Sequence, residues 1–66
     1  VQGEAVSRAD WTPEYTLYHK RVVDACCDLM GQHTREFFDH QCDYFDELAE
    51  GLAPDDVAIA QQEALS

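Results

Sequence analysis

Beyond Arg35 the 66-residue chain has no lysine or arginine, although nine of its fourteen acidic residues lie there. A half without basic groups cannot neutralise phosphates, which excludes nucleic acid and anionic membrane surfaces as its partners. No stretch approaches the roughly 18 consecutive apolar residues of a membrane span, and no charged segment followed by an apolar run opens the chain. The cysteines are three, an odd number: Cys26 and Cys27 are adjacent and Cys42 stands alone. A secreted disulfide framework shows an even set at separated positions, so a reducing, cytoplasmic setting is expected. Neighbouring cysteines close a strained ring, and Asp24 and Asp28 beside them oppose thiolate formation, which argues against redox chemistry. A nucleophile, base and orienter set, a phosphate-cradling glycine loop and a zinc spacing are all missing. No catalytic residue, cofactor or metal site is therefore expected, and the chain reads as a non-enzyme.

What is present is a long amphipathic pattern. Val1 to Asp10 (VQGEAVSRAD) lacks periodicity and, with Trp11, reads as an extended arm or linker over 1–11. Thr12 suits a helix N-cap, Pro13 the first helical position, and Glu14 the positive helix end. From there Trp11, Tyr15, Tyr18, Val22, Ala25 and Leu29 alternate four- and three-residue spacings, as in an a/d seam. A second seam, Phe38, Cys42, Phe45, Ala49 and Leu52, is flanked by Phe37, Tyr44 and Leu48.

The two seams are out of phase by very roughly 100° of helix rotation. A continuous helix over about 12–51 absorbs the offset by letting its contact face wrap around it, and a break at Gly31 absorbs it with a hairpin. Gly31 costs only about 1 kcal/mol inside a helix, so the continuous helix is the expectation and Gly31 is where it can break. Some 38 helical residues would form a rod about 57 Å long. Gly51 to Pro54 ends it, and Pro54 with Asp55 and Asp56 starts a second, short helix over about 54–65. The fold class is all-α. So small a chain is expected to lack an internal partner for the aromatic face, which must then meet something outside it.

That binding face comprises Trp11, Tyr15, Tyr18, Val22, Leu29, Phe37, Phe38, Tyr44, Phe45, Leu48 and Leu52. Opposite it runs an acidic face of Glu36, Asp39, Asp43, Asp46, Glu47 and Glu50. With His33, His40 and Cys42 nearby, several of these carboxylates have ligand-type spacing, but amphipathicity alone demands a solvated acidic face. On a continuous helix Asp39–Asp43 and Asp46–Glu50 repel at one-turn spacing, and Asp46, Glu47 and Glu50 crowd the negative helix end. Solubility, repulsion between coated particles or a basic partner are reasons to keep them. QQEALS continues a helical pattern without a stop, and the first residue is Val1, so the segment reads as part of a longer chain.

The stretch TREFFDHQCDYFDELAEGLAPDDVAIAQQEAL resembles the phasin family, proteins of polyhydroxyalkanoate granules. The likeness rests on a long amphipathic helix bearing Phe38, Phe45, Leu48 and Leu52, a short stop, then Pro54, Asp55 and Asp56, and a helix with Gln61 and Gln62. It covers about half the chain, so residues 12–66 are expected to form a phasin-like helical segment. The resemblance implies a non-catalytic, surface-active protein whose aromatic face adsorbs to the hydrophobic polyester granule surface while Asp and Glu face water. The same face suits a rival role, a small accessory or structural subunit wrapped along a larger bacterial enzyme complex. Both roles imply self-association or hetero-association. An acidic mimic of nucleic acid that inhibits a DNA-binding protein is a third reading.

Overall fold

The computed structural model describes residues 11–65, and the arm expected over 1–11 lies outside them apart from Trp11. The fold is all-α, with helices α1 (Pro13–Met30), α2 (Arg35–His40), α3 (Phe45–Glu50) and α4 (Pro54–Leu65). A 3-10 turn over Gln32–Thr34 precedes α2.

The expected start of α1 is present. Thr12 is extended (φ −74°, ψ 156°), and its Oγ1 accepts the Tyr15 N–H at 3.0 Å. The continuous 12–51 helix is not, and the physical reason lies at two places. Gly31 adopts φ 108°, ψ 152°, which ends the α-helical path, while its N–H still donates to the Cys27 carbonyl at 2.7 Å. A Cβ there would lie 2.8 Å from the His33 ring, so both conformation and space favour glycine. Thr34 Oγ1 then donates to the Gly31 carbonyl at 2.7 Å and sets the new direction. Helical structure is interrupted again over 41–44, where Tyr44 has φ −138° and ψ 33°. Gly51, left-handed at φ 78°, stops α3, and Leu52 N–H reaches back to the Glu47 carbonyl. The second helix expected over 54–65 matches α4.

These breaks fold the seam onto itself. The molecule measures 30 × 24 × 17 Å, against about 57 Å for the continuous rod. Helix α1 lies chiefly against α4, with α2 and α3 also packed on it. Its Tyr15, Tyr18, Val22, Val23, Cys26 and Cys27 form the inner stripe, closed over by Phe38 of α2, Tyr44 of the connection, and Val57 and Ala58 of α4. The expectation that the chain could not cover its own aromatic face is thus overturned. Tyr15, Tyr18 and Val22 of the first seam meet Phe38 of the second in this core, while Leu29, Ala49 and Leu52 stay exposed, and across a chain reversal a phase offset is no obstacle.

Candidate functional site

The core is joined by a buried polar relay. Tyr44 N–H donates to the Tyr15 hydroxyl at 2.9 Å, and that hydroxyl lies 3.1 Å from His19 Nδ1. His19 Nε2 faces two acceptors of Asp39, its carbonyl at 3.0 Å and Oδ1 at 3.1 Å. Both can only accept from this nitrogen, so Nε2 carries a proton. In the neutral ring Nδ1 then accepts from Tyr15. The relay ties α1 to α2 and to the connection after α2. Tyr15 and His19 are each only 2 % exposed, so neither is open to a substrate. Around it Trp11 meets Tyr15 edge-on at 4.7 Å, and Phe45 stacks on Tyr15 at 3.8 Å. Tyr18 adds a bond at 2.7 Å to the Leu52 carbonyl, which pins the elbow between α3 and α4. Burial, with Glu47 nearby, raises its phenol pKa.

The eleven residues expected on the binding face therefore divide. Tyr15, Tyr18, Val22, Phe38 and Tyr44 are buried in the chain's own core, and Trp11, Phe45 and Leu48 are half-buried against it. Leu29, Phe37 and Leu52 remain exposed. Three further exposed aliphatics, Leu17, Ile59 and Leu65, were not in the expected face. For Leu17 a signal existed: Leu17, Arg21, Ala25 and Leu29 recur at four-residue spacing, a second stripe beside the aromatic seam.

That second stripe borders a shallow surface groove. At one end Leu17 and Tyr18 of α1 face Leu48 of α3 and Pro54 of α4, with Glu14 and Arg21 beside them. In the middle Arg21, Asp24, Ala25 and Asp28 face Ala53, Pro54 and Asp55. At the far end Ala25, Asp28 and Leu29 face Asp55 and Ile59. Arg21 and Pro54 are common to the first two sections, and Ala25, Asp28 and Asp55 to the last two, so the sections adjoin in one row. From Leu17 to Leu29 it runs about 18 Å along α1 at 1.5 Å per residue. Its ends are apolar and its middle is charged.

The acidic face is also redistributed. Glu36, Asp43, Asp46 and Glu50 are exposed, Glu47 is half-buried, and Asp39 turns inward to His19. Asp43 lies in the connection after α2, so Asp39 and Asp43 are not one helical turn apart. Asp46 and Glu47 occupy the first turn of α3, not a negative helix end, and there a carboxylate is favourable by some tenths of a kcal/mol. Among the described residues no group of three or more His, Cys, Asp or Glu is placed to hold a metal ion. Cys26 and Cys27 are buried and Cys42 is half-buried. Burial, with Cys27 and Cys42 close by, pushes the Cys26 thiol up to about 11. Such a thiol is a poor nucleophile near neutral pH.

No protein-family model matches the chain, and no curated protein or solved structure matches it either. Among the described residues no helix is long and apolar enough to cross a membrane.

Proposed function

We propose that the chain is a non-catalytic helical interaction module, an accessory subunit that docks on a larger protein through the groove between α1 and the α3–α4 half. One observation carries this reading: the aromatic seam is consumed by the chain's own core, while Leu17, Leu29 and Ile59 stay 51 %, 43 % and 45 % exposed along one groove. Fully burying an aliphatic side chain is worth about 1.5–3 kcal/mol, and these three, already about half-buried, would each add about half of that on docking. Adsorption to a polyester granule, which the phasin resemblance implies, is the weaker reading. It would draw on Phe38 and Phe45, and exposing them means opening the core around Tyr15.

Two variants separate the readings. Ile59→Asp alters the groove from outside, so its thermal melt should match wild type within a few degrees while retention of the partner complex is lost. Phe38→Ala should lower the melt and weaken any binding only through instability. Undiminished partner retention by Ile59→Asp would overturn the groove as the docking face. Retention of the folded chain on protein-free polyester particles, unchanged by Ile59→Asp, would favour the granule reading.

A further inference from the structure

We infer that the occupant of the groove is a cationic amphipathic helix of a partner protein, with two aliphatic anchors about three turns apart and Lys or Arg between them. This rests on the docking role proposed above and names the class of partner.

Length sets the anchor spacing. Leu17 with Leu48 and Leu29 with Ile59 form two apolar ends separated by about 18 Å, which a helix spans in about 11–12 residues. Residues i and i+11 return to the same helix face, so one leucine-sized side chain can enter each end. Between the ends, small Ala25, Ala53 and Pro54 leave room for a helix backbone to approach.

Charge sets the sign. The walls carry Glu14, Asp24, Asp28 and Asp55 against Arg21. Asp24 is engaged by Arg35 at 2.9 Å, which leaves three carboxylates facing one guanidinium. The chain as a whole has a net charge of −10, so its overall field also favours a cationic partner. A second copy of this chain would bring acidic walls against acidic walls at −10 each, and an anionic lipid or nucleic acid would be repelled likewise. Lysine or arginine on the flanks of an apolar helix stripe answers both the apolar ends and the acidic walls.

The test is titration of the full ¹⁵N-labelled chain with synthetic helices of one design, leucine at the two anchor positions and alanine between. The flanking positions are Lys in one peptide, Gln in the second and Glu in the third. The Lys peptide should shift the amides of Leu17, Arg21, Ala25, Asp28, Leu29, Asp55 and Ile59, and should bind at least about tenfold tighter than the Gln or Glu peptide. Ile59→Gln should weaken it about tenfold at unchanged net charge, and the pair Asp28→Asn with Asp55→Asn should weaken it similarly and flatten its salt dependence. Equal binding of the Gln peptide in the same groove overturns the cationic class and leaves the docking role standing. Lys-peptide binding indifferent to Ile59→Gln is charge attraction alone and overturns the proposal. The same amide shifts arising from the chain's own concentration, with doubled mass, make a second copy the occupant. If no peptide moves the groove amides, the docking role itself fails with it.

Discussion

The two sides of Gly31 are built on different principles. Before it stands one helix of 18 residues, with a near-complete inner stripe, a side-chain N-cap and the buried His19. After it come three shorter helices, two of only six residues each, with no N-cap side-chain bond on α2 or α3. Helices that short are unstable by themselves, because one or two turns do not recover the cost of nucleation. Six of the ten apolar core residues belong to α1, and the four others come singly or in pairs from α2, the connection and α4. The first half is a template, and the second half is helical because it lies on that template. The acidic residues fit this division: with few core positions to fill, α2 to α4 leave most of their surface to solvent.

The strongest way to break the comparison is to remove the one apolar anchor of α2. Phe38 is fully buried, whereas its neighbour Phe37 is 42 % exposed and packs edge-on against it at 5.1 Å. Phe38→Ala should cost about 3–5 kcal/mol, most of the stability of so small a domain, while Phe37→Ala should cost under about 1 kcal/mol. Urea titration followed by circular dichroism measures both. If the two variants unfold at the same urea concentration, α2 is not held by Phe38.

Next comes the polar connection between the halves. Tyr15→Phe keeps the ring that stacks on Phe45 but removes the oxygen that accepts from Tyr44 N–H and lies against His19 Nδ1. Two buried polar groups then lose that partner, at about 1–3 kcal/mol. Native-state hydrogen exchange should show α2 and the 41–44 connection losing protection while the middle of α1 keeps most of its own. Equal loss throughout would mean the halves are one cooperative unit and not template and follower.

The two hinge glycines sharpen the contrast further. Both have positive φ, but a Cβ on Gly31 meets the His33 ring at 2.8 Å whereas one on Gly51 meets nothing within 4 Å. Gly51→Ala should therefore cost only the left-handed strain, about 1–2 kcal/mol. Gly31→Ala adds a clash and distortion at the turn that aims α2, so its melting temperature should fall further. His33→Ala in the same chain should recover part of the Gly31→Ala loss and none of the Gly51→Ala loss.

Much of this architecture is legible in the sequence. The Thr12 cap, Pro13, the stop near Gly51 and the restart at Pro54 are local signals, and local hydrogen bonds realise them. The inner stripe of α1 was legible because Tyr15, Tyr18 and Val22 repeat at helical spacing. What misled was the second half. Phe37, Phe38, Tyr44, Phe45 and Leu48 satisfy a helical period whether or not the helix is continuous, and periodicity does not reveal a break at 41–44 that lacks glycine and proline. The phase offset between the seams was visible, but it marks a chain reversal, not a wrapping face. The His19–Asp39 pairing was invisible because it joins residues 20 apart through tertiary contact alone. The groove was hidden for the same reason: one wall, Leu17 to Leu29, is a readable stripe, while Leu48, Pro54 and Ile59 reach it only after folding.

The smallest effect expected is at the most conspicuous ion pair. Arg35 Nη1 donates to Asp24 Oδ1 at 2.9 Å, joining the start of α2 to α1, and that bond with the nearby carboxylates raises the guanidinium pKa. Geometry alone would make this a principal tether between the halves. Yet the side chains are 44 % and 46 % exposed, so water and salt screen the attraction and the long Arg35 side chain loses rotamer freedom in making it. Arg35→Gln should leave the melting temperature unchanged within experimental error at moderate salt, and added salt should not separate it from wild type. A 1 kcal/mol loss would lower the melt by about 4–8 °C in a domain of this size, a drop that is easily seen. A shift of that size in low salt, vanishing in high salt, would show that charge as well as buried contact orders the second half on the first. An unchanged melt, set beside the loss in Phe38→Ala, assigns the joining of α2 to α1 to Phe38 and the Tyr15–His19–Asp39 relay.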